Sequence, residues 1–381
     1  MTEWKEYKLG EIATFISEKV SVKDISVENY ISTENMVSDK GGITVATNKP
    51  LDGTITKYYP NNILVSNIRP YFKKIWFSNR DGGCSNDVLC FEANTKYINP
   101  KYLYFLLSQD LFFDYVMLGS KGCKMPRGDK SHIMNWDISL PPLPEQIRIA
   151  SILSSLDDKI DLLHRENKTL EAMAETLFRQ WFIEEAKEDW KEGKLGDIIS
   201  VKGGTTPSTK EPHFWNGDIA WTSPRDVTTL NGLYLFETEK KITQKGLEQI
   251  SSGLLPAGTL LMSSRAPVGV LAFSEIPIAI NQGYIAILDD KGYEKEFIYL
   301  WLKANMDTIH SYSNGSTFME ISKSAFKSID ILIPTKEEVN DFVDRVKPIF
   351  EKIKANVLQI QTLIQQRDSL LPKLMSGEVE I

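Results

Sequence analysis

Trp4-Lys5-Glu6-Tyr7-Lys8-Leu9-Gly10-Glu11-Ile12 comes back 186 positions later as Trp190-Lys191-Glu192-Gly193-Lys194-Leu195-Gly196-Asp197-Ile198. A second stretch behaves the same way: Asp137-Ile138-Ser139-Leu140-Pro141 returns 193 positions on as Asp330-Ile331-Leu332-Ile333-Pro334. A long helical pattern follows each of these prolines, so the chain reads as one unit written twice, a globular region and then a long helix. A period this long excludes a stacked solenoid and implies duplicated domains with pseudo-twofold symmetry. Two similar surfaces on one chain suit a partner that is itself two-sided.

The first connector, from about Pro144 to Glu185, contains neither Gly nor Pro after its opening proline. Pro144 suits a first helical turn, and Glu145 favours the positive end of the helix dipole. Ile149, Leu153, Leu156, Ile160, Leu163, Asn167, Leu170, Ala174, Leu177 and Trp181 alternate at spacings of four and three, the pattern of a heptad seam. About 40 residues at 1.5 Å each predict a rod of roughly 60 Å. The second connector repeats the alternation with Val339, Phe342, Val346, Ile349, Ile353, Asn356, Ile360, Leu363, Arg367, Leu370 and Leu374, with Pro348 expected to kink it near its start. Antiparallel seams aligned end to end set Asn167 opposite Asn356, where a mutual hydrogen bond would fix register.

The globular regions read as mixed α and β. Asn62-Ile63-Leu64-Val65 and Gly258-Thr259-Leu260-Leu261-Met262 are short strand-like runs between Gly, Pro and Asn punctuation. Tyr102–Leu107 and, 195 positions later, Phe297–Leu302 are apolar and helical in pattern. The stretches between these matches diverge, as when two recognition surfaces share one scaffold. The predicted fold class is α+β, with two mixed α/β globular domains at 1–143 and 187–334 in pseudo-twofold arrangement and long antiparallel coiled-coil helices at 144–186 and 335–381.

Composition bounds the function. The chain of 381 residues is 42% apolar and 25% charged, ordinary for two or three globular domains. No run of about 18 apolar residues appears, and three unpaired-looking cysteines, Cys84, Cys90 and Cys123, fit a reducing compartment, so a cytoplasmic location is expected. The net charge of −7 divides as +1 for residues 1–144, −5 for 145–189, −2 for 190–334 and −1 for 335–381. Near-neutral globular regions do not by themselves bind DNA tightly through phosphate neutralisation. There is no phosphate loop, GxGxxG turn, HExxH or Asn-Pro-Pro-Tyr-like motif, and His132, His164, His213 and His310 are scattered. A chain of this size without a catalytic constellation reads as a binding subunit, and a coiled-coil scaffold without DNA specificity is the alternative.

Several segments carry a family resemblance. They are Tyr30-Ile31-Ser32-Thr33-Glu34-Asn35-Met36; Leu140-Pro141-Pro142-Leu143-Pro144-Glu145-Gln146; Lys202-Gly203-Gly204-Thr205-Thr206-Pro207-Ser208 through Phe214-Trp215-Asn216-Gly217-Asp218-Ile219-Ala220-Trp221; and Leu370-Leu371-Pro372-Lys373-Leu374-Met375-Ser376-Gly377-Glu378-Val379. In order and spacing the chain resembles the specificity (S) subunit of type I restriction–modification systems. The resemblance implies two target recognition domains, each reading half of a bipartite double-stranded DNA target. It also implies paired helices that set the spacer and dock two methyltransferase (M) subunits. S-adenosylmethionine belongs to the M subunits, and ATP and magnesium to restriction (R) subunits. This chain would then bind no cofactor or membrane and catalyse nothing. It would direct the complex's adenine-N6 methylation and ATP-dependent cleavage, with the M subunits supplying phosphate contacts.

The same resemblance selects candidate readers. In the second half these are Lys202, Thr205, Ser263-Ser264-Arg265, Asn281-Gln282, Ser316-Thr317 and Lys323; in the first half, Arg69, Tyr71, Lys73, Lys74, Asn86, Lys121, Lys124, Arg127 and Lys130. Arginine suits guanine, Asn or Gln suits adenine, and Ser, Thr and Lys hold phosphates. Trp215 and Trp221 are expected in the core, and Lys130 and Lys323 correspond at the 193-residue offset.

Overall fold

The computed structural model describes residues 4–230, 232–289, 291–315 and 319–379. It divides into two compact units, Met1–Ile160 with Thr362–Ile381, and Asp161–Gln361. Each unit takes in a globular region and a stretch of both long helices.

The duplicated motifs turn out to be strand partners. Lys5–Lys8 pairs antiparallel with Asp137–Leu140, and Lys191–Lys194 pairs antiparallel with Asp330–Ile333. The end-to-end register sets Lys8 against Asp137 and Lys194 against Asp330, and both pairs are ion pairs. A helical turn follows each first strand, Leu9–Ile12 and Leu195–Ile198, entered with Glu11 or Asp197 accepting the amide of Lys8 or Lys194. Leu9 N donates to Trp136 O at 2.9 Å and Leu195 N to Ile329 O at 2.8 Å. A glycine recurs inside each turn because the wall is close. A Cβ on Gly10 would lie 3.2 Å from Met134 O, and one on Gly196 would lie 3.0 Å from Lys327 Cβ. Each motif pair ties the start of its domain to the strand that feeds a long helix.

Between these closures each unit holds two small sheets. In the first, Ala13–Phe15, Val88–Ala93, Ile63–Ser66 and Ile75–Phe77 form one antiparallel sheet, and Lys19–Ser21, Thr54–Tyr58, Gly82–Cys84 and Tyr30–Ile31 form the other, whose last pair is parallel. In the second, Ser200–Lys202, Tyr284–Leu288, Leu260–Ser264, Val268–Ser274 and Tyr234–Leu235 form a five-stranded sheet beside a three-stranded sheet of Lys240–Ile242, Trp215–Thr222 and Ile278–Ile280. Strands Ile63–Ser66 and Leu260–Ser264 are buried at every position, the apolar runs Ile63-Leu64-Val65 and Leu260-Leu261-Met262 carrying their closing serines into the interior. The helix Pro100–Leu107 starts at Asn99, whose side chain accepts from Tyr102 N; its counterpart in the second unit is Lys295–Ala304.

The first long helix spans Leu143–Arg179 and ends in a π turn, Gln180–Glu184. The second spans Lys336–Met375 and continues through Pro348 without a break. No residue of either predicted seam is exposed. Ile149, Leu153, Leu371 and Leu374 belong to the core of the first unit, and Ala174, Phe178, Val339 and Phe342 to that of the second. The helix ends are therefore anchored in domain cores, where each fully buried Leu, Ile or Phe contributes about 2 kcal/mol. In the second unit Asn356 Nδ2 donates to Asn167 Oδ1 at 2.8 Å, with both side chains buried, and also to Glu166 Oε2 at 3.1 Å. In the first unit the seam position Arg367 pairs with Asp157 at 3.0 Å and with its neighbour Asp368. Among the described residues no helix is long and apolar enough to cross a membrane.

Candidate DNA interface

Three loops converge at one edge of each unit, and the same backbone bonds hold them in both. Gly128 N donates to Asn67 O (3.2 Å) where Ile321 N donates to Ser264 O (3.0 Å). Asn67 N reaches Asp87 O and Ser264 N reaches Gly283 O, each at 2.8 Å. The polar turn is closed by Ser85 Oγ accepting from Asp87 N in the first unit, and by Asn281 Oδ1 accepting from Gly283 N in the second. The third loop is pinched at Lys121 and Arg127 in one unit and at Asn314 and Glu320 in the other, two residues before a helix N-cap, Asp129 or Ser322. Lys130 and Lys323 are the first residues of those helices.

The shared frame also sets the correspondence of the loop arginines, since Ile68 bridges Arg127 where Arg265 bridges Glu320. The residue in the left-handed region before proline is Arg69 (φ 50°) in the first unit and Ala266 (φ 53°) in the second. Arg69 thus corresponds to Ala266, and Arg265 to Ile68, so the two arginines stand one position apart.

Several first-unit candidates are engaged by the protein itself. Lys121 pairs with Asp129 at 2.7 Å, and Arg127 pairs with Asp87. The Lys121 ammonium holds the Asp129 carboxyl at about 2, well below its usual range. Lys73 pairs with Asp110 at 3.0 Å; Lys74 Nζ donates to Thr33 O at 2.7 Å, and burial lowers its pKa. Arg69 and Lys124 are exposed, as is Tyr71. Asn86 is exposed and accepts from Lys19 Nζ at 3.0 Å. Lys130 Nζ lies 5.5 Å from the Phe15 ring centroid. With Lys19, Thr56 and Cys90, these last residues line a cleft of about 430 Å³.

In the second unit Lys323 Nζ occupies the same place beside Gly203, where a Cβ would come within 2.7 Å of it. Lys202 Nζ reaches Ser252 O at 3.5 Å, and Thr205 Oγ1 donates to Gln249 O at 2.7 Å. Gln282 is exposed, its carbonyl accepting from Thr206 Oγ1 at 2.7 Å, whereas the buried Asn281 closes its turn. Arg265 is half-buried, its backbone bridged to Glu320. Ser263 leaves the reader set: it is 0% exposed, and its hydroxyl donates to Pro267 O and accepts from Val270 N. Ser264 is also buried, and among the described residues its Oγ has no partner, nor has Asn67 Oδ1 at the matching position. Ser316 and Thr317 lie outside the described residues. Trp221 is buried and Trp215 packs edge-on against it, with centroids 5.1 Å apart.

Lys19 and Thr206, which orient the exposed amides, were invisible in sequence because one sits in a strand and neither adjoins the residue it serves. Among the described residues no group of His, Cys, Asp or Glu is arranged to hold a metal ion.

Comparison with known proteins bears on this geometry. The family model described as type I restriction modification DNA specificity domain matches residues 1–172 and again 187–366. The type I restriction enzyme HindI specificity subunit of Haemophilus influenzae is 24% identical over the full length of both chains. The MjaIX specificity subunit of Methanocaldococcus jannaschii is 37% identical over 43% of this chain and 38% of its own. The crystal structure of the S subunit from M. genitalium shares the fold at a TM-score of 0.60 and 16% identity, covering 98% of this chain and 96% of that one. These matches leave no support for a scaffold lacking DNA specificity. With both halves matched and both halves built on one frame of loops, the chain belongs to the type I restriction–modification DNA specificity subunits.

Proposed function

We propose that each domain reads one half of a bipartite duplex target, while the paired helices hold the halves a fixed distance apart and dock two M subunits. In this reading the M subunits bind S-adenosylmethionine and methylate adenine N6, and R subunits add ATP- and magnesium-dependent cleavage. The observation that carries it is the pair of loop clusters, alike in backbone bonding and unlike in side chains: Arg69, Asn86, Lys124 and Lys130 in one, Arg265, Gln282 and Lys323 in the other. Matched frames with different readers are what two different half-sites need. The near-neutral domains leave most phosphate contacts to the M subunits.

The test is to express the chain with its M partner and map methylated sequences, before and after exchanging residues 187–334 for the same domain of another family member. One half of the motif should change and the other remain. A motif that stays whole, or has no two halves, overturns the reading. Inserting seven residues in each long helix should widen the unread gap by about 10 Å, roughly three base pairs.

A further inference from the structure

The connection between strands Ile63–Ser66 and Ile75–Phe77 spans residues 67–74, whereas the corresponding strands of the second unit, Leu260–Ser264 and Val268–Ser274, are joined by residues 265–267. The fold closes with three residues, so the longer connection is not required by it. The extra length carries a single short turn, Pro70–Phe72, flanked by Arg69 and Lys73, both at φ 50°. Non-glycine residues in the left-handed region are disfavoured and persist where surroundings over-determine them.

Here the surroundings do so on two sides. Asp39 (φ 54°) and Lys40 (φ 63°) run beside the turn, donating their amides to Phe72 O and Lys73 O at 2.9 Å, and Arg69 N donates to Pro126 O at 2.8 Å. Asp110 joins Lys40 and Lys73, each at 3.0 Å. Lys74 Nζ lies 5.8 Å from the Phe72 ring centroid.

At the crest of this clamped turn Tyr71 is 46% and Phe72 37% exposed, their ring centroids 4.7 Å apart. Rigid aromatics held outward beside the exposed Arg69 suit a polyanion that offers flat apolar faces. The turn is continuous with the loop edge described above, since Asn67 and Arg69 carry backbone bonds to Asp87 and Pro126. We infer that Tyr71 and Phe72 form a wedge that enters a base step of the half-site read by the first domain and partly unstacks it, while the second domain leaves its half-site stacked. Apolar wedges between base steps are a known means of reading deformability.

The inference rests on the proposed reading of DNA by this domain, and the experiment separates the two. The complex with M subunits is assembled on duplexes carrying 2-aminopurine at each position of both half-sites in turn. The half-site belonging to the first domain is identified by the domain exchange above. Base flipping by the methyltransferase brightens the target adenine and reports engagement. With the wild-type chain, one further position in the first half-site should brighten several-fold, and none in the second. Tyr71→Ala/Phe72→Ala should abolish that signal, keep the target-adenine signal at saturating complex, and weaken binding by roughly 10- to 100-fold. A wild-type complex that brightens only the target adenine, or a double variant with an unchanged pattern, overturns the wedge while leaving the proposed function standing. Loss of M-subunit assembly in the double variant, seen by size-exclusion chromatography, overturns it in favour of a protein contact. No target-adenine signal with the wild-type chain would instead defeat the proposed function.

Discussion

Replacing Asn356 by leucine tests the buried amide layer of the helix pair. Asn356 is 1% and Asn167 7% exposed, and the substitution removes the donors that reach Asn167 Oδ1 and Glu166 Oε2. Asn167 would then direct a carbonyl at hydrocarbon, and a buried acceptor without a partner costs about 1–3 kcal/mol. A cost of about 2 kcal/mol, in a unit of roughly 200 residues, corresponds to a Tm lowered by about 4–8 °C. Asn167→Leu should cost a similar amount, because Asn356 keeps only its bond to Glu166. The double variant places leucine against leucine, and exchanging a buried polar pair for apolar packing is often neutral or stabilising, so its stability should return to within about 1 kcal/mol of wild type. The assay is urea unfolding of all four proteins by circular dichroism, read as a double-mutant cycle. Single-variant losses that simply add in the double would refute the reasoning, as would singles indistinguishable from wild type. The double variant also asks what the layer is for. Without the amide layer only the Arg367–Asp157 pair is left as a polar mark on the seam, so register is less firmly set and the gap between methylated half-sites should become heterogeneous although stability is restored.

Three further outcomes are expected. Glu338 accepts from Trp190 Nε1, Thr335 and Lys187, and the Lys187 ammonium leads in holding its carboxyl down to about 2. A depressed folded-state pKa gives stability that is present above the unfolded carboxylate range and lost as pH falls toward 2, so Glu338→Gln should flatten the acid limb of the stability curve between about pH 4.5 and 2, measured by thermal melts. Gly204→Ala should leave little folded protein, because its Cβ would sit 1.7 Å from the backbone oxygen of Ile280, whereas Gly203→Ala meets only the flexible end of Lys323; the yield of monodisperse chain and urea midpoints compare them. Lys323→Ala in the assembled complex should weaken DNA binding about uniformly across sequences and reduce the slope of log K against log salt by about 1; a changed base preference with an unchanged slope would make Lys323 a base reader instead.

The parts of this protein legible in its sequence are those set by local pattern. The four-three alternation from Ile149 to Trp181 and from Val339 to Leu374 needs only the helical period to be read, and every one of those positions is buried or half-buried in the structure. The apolar runs Ile63-Leu64-Val65 and Leu260-Leu261-Met262 declare buried strands in the same way. The recurrence of Trp4–Ile12 at Trp190–Ile198 declared two copies of one frame.

Tertiary structure alone decided what those patterns meet. That Lys8 faces Asp137 and Lys194 faces Asp330, across more than 120 residues of chain, is a fact of pairing that no local period encodes. The same holds for the loops. Ser263 and Gln282 look equally polar in sequence, but one hydroxyl is spent under a turn and the other side chain is in solvent. Lys121, Arg127 and Lys73 read as free cations until their carboxylates come to them from elsewhere in the fold. Sequence fixes which residues can bury, bend or charge a segment; exposure and partnership are pairwise properties, and they exist only once distant segments have packed.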